Sequence, residues 1–270
     1  MAKLLRELER VEWRVLGALR FVDAITGSTI QHSLRIDAPG ARFTRNGSAL
    51  YVLRHWDQLS DHENQFLAPP LTPVPGSLSL KLNVTDPEGT YLPIVYNFPL
   101  PRIPIPAFAG AADSLFRPET VSLYPSAAAP TGANWAVVRV SLTETHSGDA
   151  LGGALLRVFN NGNVLARGLT DWRGEALLPV VGVPVTTFSE AAGAVVISEI
   201  NVNLRAAFDP ATGSRIADSL VRDNRPPSAL PAVDPVALDK NFEALPNTPP
   251  FALSIAARRS QTVSLSLELP

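Results

Sequence analysis

The chain has 270 residues, no cysteine, 25 prolines and a formal net charge of −2 from 23 basic and 25 acidic side chains. Composition excludes disulfides, thiolate metal sites and cysteine nucleophiles, and the charge balance lacks the basic excess of a general nucleic-acid binder. Hydrophobic residues make up 46% of the chain, enough for a packed core, and no apolar run is long enough to predict a membrane-spanning helix.

At the N-terminus, Leu4, Leu8, Val11, Val15 and Leu19 recur at helical spacing, whereas Trp13, Val15, Leu19 and Phe21 recur at strand spacing. Gly17 weakens a helix through both. The expected solution is a short helical segment over 1–11 followed by a strand from residue 12. The helix either caps its own domain or docks on a neighbouring subunit. The opening stretch is charged throughout and has no apolar h-region, so no secretory signal is expected.

Residues 12–103 read as short strands between turns. Asn46-Gly47 is a hairpin signal between Phe43 and ALYVLRHW. SLSLKLNVTD alternates, with Leu78, Leu80, Leu82 and Val84 facing one way, and Asp86-Pro87-Glu88-Gly89 is a β-turn. Strands recurring at this spacing predict a β-sandwich. LAPPLTPVPG at 67–76 reads as a proline-rich loop, and PLPRIPIPAFAG leads into a stiff connector over 104–118. The second β region, 119–270, contains NWAVVRVSLTE, in which Val138, Val140 and Leu142 share a face, and ends on the alternation Val263, Leu265, Leu267, Leu269. Residues 209–250 interrupt it as a long, proline-punctuated insertion with a short helix expected near 234–244. A loop of this length wraps its domain, makes an excursion from it or touches a partner. A weak internal repeat relates 20–53 to 139–180.

The segment GDALGGALLRVFNNGNVLARGLTDWRGEALLPV resembles the carboxypeptidase regulatory-like repeat, with Gly168, Thr170, Asp171 and Gly174 at the positions of its G-x-T-D-x-x-G hairpin. Locally, Thr and Asp side chains hold a tight turn and glycine supplies positive φ. The resemblance implies a transthyretin-like or Ig-like sandwich that carries no catalytic residues and serves as a spacer, folding aid or binding module. SLFRPETVSLYPS, GANWAVVRVSLTE and RGLTDWRGEALLPV together resemble accessory proteins of contractile phage-tail-like injection particles. That resemblance implies synthesis in a bacterial cytoplasm and assembly, in several copies, into a particle that is released.

Catalytic constellations are sparse. His32, His55, His62 and His146 show no HExxH spacing, and GxSxG, P-loop, GxGxxG and calcium-loop patterns are missing. HWDQLSDHE, with His55, Asp57, Asp61 and His62, is the densest polar cluster and the one place where a general base or metal site could be assembled. The acidic residues Asp37, Asp86, Glu88, Asp171 and Glu175 sit at predicted turns, and Arg258-Arg259 precedes the last strand.

The reading is therefore an all-β protein: two tandem Ig-like or transthyretin-like β-sandwich domains with a short N-terminal helix and long Pro-rich connectors. It is expected to be a non-catalytic structural component of a large assembly with no cofactor. Its partners are expected to be other protein subunits rather than nucleic acid or membrane. Candidate partner contacts are Leu4, Leu8, Trp56, Pro104, Pro106, Trp172, Pro226, Pro227, Phe242 and Phe251. The alternatives are a carbohydrate- or peptide-binding module using Trp56 or Trp172, and a hydrolase built on the His55–His62 cluster.

Overall fold

A computed structural model describes residues 15–64, 70–184, 187–188, 195–196 and 199–269. The expected helix over 1–11, with Leu4 and Leu8, lies outside the described residues. The chain is mostly β, with 45% of residues in strands of several sheets and 9% in helix. The strands in chain order are β1 (Gly17–Asp23), β2 (Arg35–Asp37), β3 (Ala41–Arg45), β4 (Leu50–Trp56), β5 (Leu78–Thr85), β6 (Ile94–Leu100), β7 (Glu119–Leu123), β8 (Ala136–Glu144), β9 (Ala150–Gly152), β10 (Leu155–Asn160), β11 (Asn163–Leu169), β12 (Glu175–Val180), β13 (Thr187–Phe188), β14 (Val195–Val196), β15 (Glu199–Ala207), β16 (Ser214–Ile216), β17 (Phe251–Ala256) and β18 (Ser260–Leu267). The helices are one turn or little more: α1 (Ser60–Asn64), α2 (Asp218–Arg222) and α3 (Pro235–Lys240).

The chain divides into two compact units. The first comprises residues up to Arg20, Ala38–Leu80 and Phe98–Thr120; the second comprises Phe21–Asp37, Lys81–Asn97 and Val121 onward. Both are discontinuous in sequence, whereas the strand pattern suggested the contiguous stretches 12–103 and 119–270.

In the first unit, β4 lies between β3 and the start of β1, both antiparallel to it. The Asn46 side chain builds the β3–β4 turn by accepting the backbone N–H groups of Ser48 and Leu50 at 3.0 and 2.9 Å. Leu19, Tyr51, Leu53 and Trp56 point inward and are buried.

In the second unit, two sheets share one apolar core. One has the order β11-β10-β15-β17; in the other, β8 is flanked by antiparallel β12 and parallel β18, with β9 and β16 continuing beyond the end of β8. Val138, Val140 and Leu142 of β8 meet Leu156 and Val158 of β10, Leu178 of β12, Val202 and Leu204 of β15, and Val263, Leu265 and Leu267 of β18 in that core. Period-2 alternation is sufficient to aim these side chains inward. The opposite face of β8 is not wholly polar, since Val137 is buried with Ala129 and Leu177 in a small satellite cluster.

Two carboxylates organise turns at the sheet ends. Asp171 accepts the backbone N–H groups of Arg173 and Glu175 at 2.8 and 3.0 Å, while the buried Thr170 hydroxyl donates to Leu151 O at 2.6 Å and accepts from Ala154 N at 2.8 Å. The hairpin motif is thus a hydrogen-bonded lock between neighbouring strands.

Glu144, at the end of β8, accepts the N–H groups of His146 and Ser147 at 3.0 and 2.7 Å, with Arg215 at 3.3 Å. The His146 N–H first, then Ser147 and the Arg215 charge, lower its pKa to about 2. A depressed folded-state pKa stabilises the fold above the ordinary glutamate pKa, and that contribution is lost as pH falls from there through the folded value. Glu144→Gln is therefore expected to lower the urea midpoint of the second unit at pH 7. The gap to wild type is expected to narrow between about pH 4.5 and 2. Midpoints measured at several pH values check this; a pH-independent gap contradicts it.

Candidate functional site

An apolar concavity with exposed walls belongs to the first unit. It is a groove of about 360 Å³ whose lining includes Pro70, Leu71, Pro73, Pro75, Pro101, Ile103, Pro104, Ile105, Phe108 and Leu115. Three large side chains along it face solvent: Leu71 is 90% exposed, Ile105 50% and Phe108 52%. A cluster of this kind exceeds what scattered surface apolar residues produce, and such patches mark interaction sites.

Backbone hydrogen bonds fix the walls. Gly76 N donates to Pro101 O at 2.9 Å, joining the 70–77 loop to the segment after β6. Ile103 N donates to Asp113 O at 3.0 Å and Leu115 N to Ile103 O at 2.9 Å, closing the 103–115 loop, while Pro106–Phe108 forms a 3₁₀ turn that presents Phe108. Beneath them lies Arg102, a buried cation. Its guanidinium pairs with Glu119 at 3.0 Å, donates to the Ala112 and Arg117 carbonyls and lies 5.7 Å from the centre of the Phe98 ring. A buried charge persists only when paired and hydrogen-bonded, and here these contacts bind the groove wall to its base. Because Arg102 is neutralised internally, it offers no free charge to an occupant.

Prolines set the recognition chemistry. They supply no backbone N–H, so this wall is poorly suited to extending a sheet with a partner's strand. Side-chain insertion is the contact such a wall can offer.

The described candidate residues fall in both units. Pro104 lines the groove, and Pro106 is exposed at the start of its 3₁₀ turn. Trp56 is buried at 4% exposure in the first unit and Phe242 at 1% in the second, which withdraws both rings from any external partner. Trp172 is half-buried with Arg173 5.8 Å from its ring centre. Pro226 is exposed, Pro227 is half-buried and Phe251 is exposed on β17. Of these, Pro104 and Pro106 belong to the first unit, and Trp172, Pro226, Pro227 and Phe251 to the second.

The HWDQLSDHE cluster is also divided. His55 Nε2 lies 3.0 Å from Asp57 Oδ1, whereas His62 is buried and lines the groove. Among the described residues no group of three or more His, Asp or Glu side chains is arranged to hold a metal ion. A second histidine network lies in the second unit. His32 Nε2 is 3.1 Å from Asp86 Oδ1, its ring stacks on Tyr91, and the Tyr91 hydroxyl donates to Asp23 at 3.0 Å. Burial, with the Asp23 carboxylate beside it, raises the Tyr91 pKa. Asp86 also accepts the Glu88 and Tyr91 backbone N–H groups, and Asp23 those of Ile25 and Thr26. Both carboxylates are therefore committed to turn geometry.

The strand pattern did not reveal the groove. Its signal was the alternation of proline with large apolar residues at 70–75 and 101–108, which reads equally well as a connector. No helix among the described residues is long and apolar enough to cross a membrane. No protein-family model, curated protein or solved structure matches the chain.

Proposed function

We propose that the protein is a non-catalytic structural component of a large assembly, built from Ig-like or transthyretin-like sandwich units. The proline-lined groove receives an apolar, uncharged segment of a neighbouring protein subunit. A contractile, phage-tail-like particle is the kind of assembly that the sequence resemblance implies. The observation that carries the docking reading is the exposure of Leu71, Ile105 and Phe108 along a groove with fixed walls. The internal pairing of Arg102 favours an uncharged occupant. A sugar-binding reading has less support: Trp56 is buried and the groove lining is dominated by aliphatic and proline side chains.

Ile105→Asp combined with Phe108→Asp places two carboxylates where an apolar segment inserts. Both positions are half-exposed, so the fold tolerates the change. Native mass measurement of the chain from its source cells is expected to give a complex for the wild type and the 28.9 kDa single chain for the double variant. A wild type that runs as a single chain, or a variant that stays in its complex, overturns the proposal.

A further inference from the structure

The outer face of the β3-β4-β1 sheet in the first unit has a different character from the groove. Cross-strand register places Ala18 opposite Val52 and Thr44 on the other side of Val52, with Arg20 opposite Leu50. At the other end, a bulge between Arg42 and Phe43 sets Arg42 opposite His55 and beside Arg54. Ala41 and Phe43 pair with the buried Trp56 and Leu53, which leaves Arg42 and Thr44 on the outer side. The face is thus a short aliphatic centre with Arg20 at one end and Arg42 and Arg54 at the other. Arg54 lies four residues along β4 from the row of Arg20, about 13 Å at strand rise.

Among the described residues Arg20, Arg42 and Arg54 have no ion pair or side-chain hydrogen bond, in contrast to the paired arginines elsewhere in the chain. Arg102 meets Glu119, Arg157 and Arg167 meet Asp239, Arg205 meets Glu243, and Arg215 meets Glu144 and Asp149. The nearby carboxylate, Asp57, is occupied by His55. Like charges on neighbouring strands repel, and Arg42 and Arg54 have no internal anion to offset that repulsion.

We propose that this face docks a carboxylate-bearing protein surface, with acidic groups about 13 Å apart flanking small aliphatic side chains. Charge complementarity selects an acidic partner, and the aliphatic centre selects a protein over a nucleic acid. Of the Phe, Tyr and Trp residues of these strands, Phe21, Tyr51 and Trp56 are buried and Phe43 shares their inward side, so none is placed to stack on bases, and the His55 ring on the outer side is held by Asp57. The chain's net charge of −2 gives it no general attraction for polyanions. The inference uses a different surface from the groove and stands whether or not the groove is filled.

The test uses the full chain and a synthetic peptide, Glu-Val-Thr-Val-Glu within a neutral flanking sequence, beside its twin carrying Gln for Glu. The Glu peptide is expected to bind at low salt at least about tenfold more tightly than the Gln peptide, and to weaken in about 0.3 M salt. Arg20→Gln, Arg42→Gln and Arg54→Gln together are expected to remove that preference. The three Arg→Lys changes keep most of it, and Arg35→Gln, at an exposed arginine of the second unit, leaves it unchanged. Unfolding midpoints of all variants show that the fold is retained. Absence of Glu-peptide binding, equal affinity for the two peptides, or full binding by the triple Gln variant overturns the proposal. So does an oligodeoxynucleotide that binds the same arginines more tightly than the peptide, which reassigns the face to nucleic acid.

Discussion

Phe242→Ala is expected to destabilise the second unit by about 4 kcal/mol, within the range for emptying a fully buried phenylalanine site. The ring is 1% exposed, and the guanidinium groups of Arg157 and Arg205 lie 4.0 and 5.5 Å from its centre. Asp239 and Glu243 hold those arginines in place. Arg157 Nε donates to Asp239 Oδ1 at 2.9 Å, Arg167 Nε donates to the same oxygen at 2.8 Å, and Arg205 Nη1 donates to both Glu243 oxygens at 2.9 Å. The Asp239 pKa is lowered, with the Arg167 and Arg157 hydrogen bonds outweighing the opposing effect of burial. Removing the ring leaves a cavity and takes away the surface on which two cations rest. Phe242→Leu keeps much of the volume and is expected to cost about half as much. Denaturant midpoints of the second unit decide the matter. A loss under about 1 kcal/mol for the alanine variant means that the 234–248 segment is not held by this ring.

The same cluster illustrates what the sequence carried and what it did not. A short helix was expected near 234–244, and it forms over Pro235–Lys240, where Asp234 is a capping residue before a first-turn proline. Asp234 does accept the N–H groups of Val236 and Ala237 at 2.9 and 3.1 Å. The destination of its apolar side was not legible. Leu238 and Phe242 recur at helical spacing whether they cover their own sheet or a partner. The deciding groups, Arg157, Arg167 and Arg205, stand on strands far away in sequence. Their signal was arginine on strand faces, matched by Asp239 and Glu243 four residues apart.

Strand interiors were the easier part, since inward alternation in β8 and β18 needs no knowledge of the neighbouring strand. The discontinuous units were harder. Segments 21–37 and 81–97 carry the same turn chemistry as the residues around them, and only long-range contacts group them with residues beyond 121. For the groove, exposed Leu71, Ile105 and Phe108 look in sequence like buried residues beside prolines. Hydrophobicity is a one-way guide to burial.

Gly174→Ala is expected to be the other severe substitution, costing about 3 kcal/mol, and the effect separates into two causes. Gly174 has φ +74°, a region where a side chain costs about 1–2 kcal/mol through contact with its own backbone. A Cβ at this position would also press on the Leu142 carbonyl oxygen, with Leu151 N at 3.3 Å and the Ala150 Cβ at 3.4 Å. That carbonyl cannot retreat cheaply, because Leu142 N donates to Gly174 O at 2.9 Å and ties the two residues together. Gly148 provides the comparison: its φ is +73°, and a Cβ there meets nothing within 4 Å. Gly148→Ala is therefore expected to cost the conformational part alone, about 1 kcal/mol. The difference between the two variants measures the close approach of the Asp171 turn to the end of β8. Equal losses would assign the requirement for Gly174 to backbone conformation. A larger loss at Gly174 assigns it to the contact, and so explains why the Thr-Asp turn, with its Thr170 and Asp171 hydrogen bonds, has to end on a residue without a side chain.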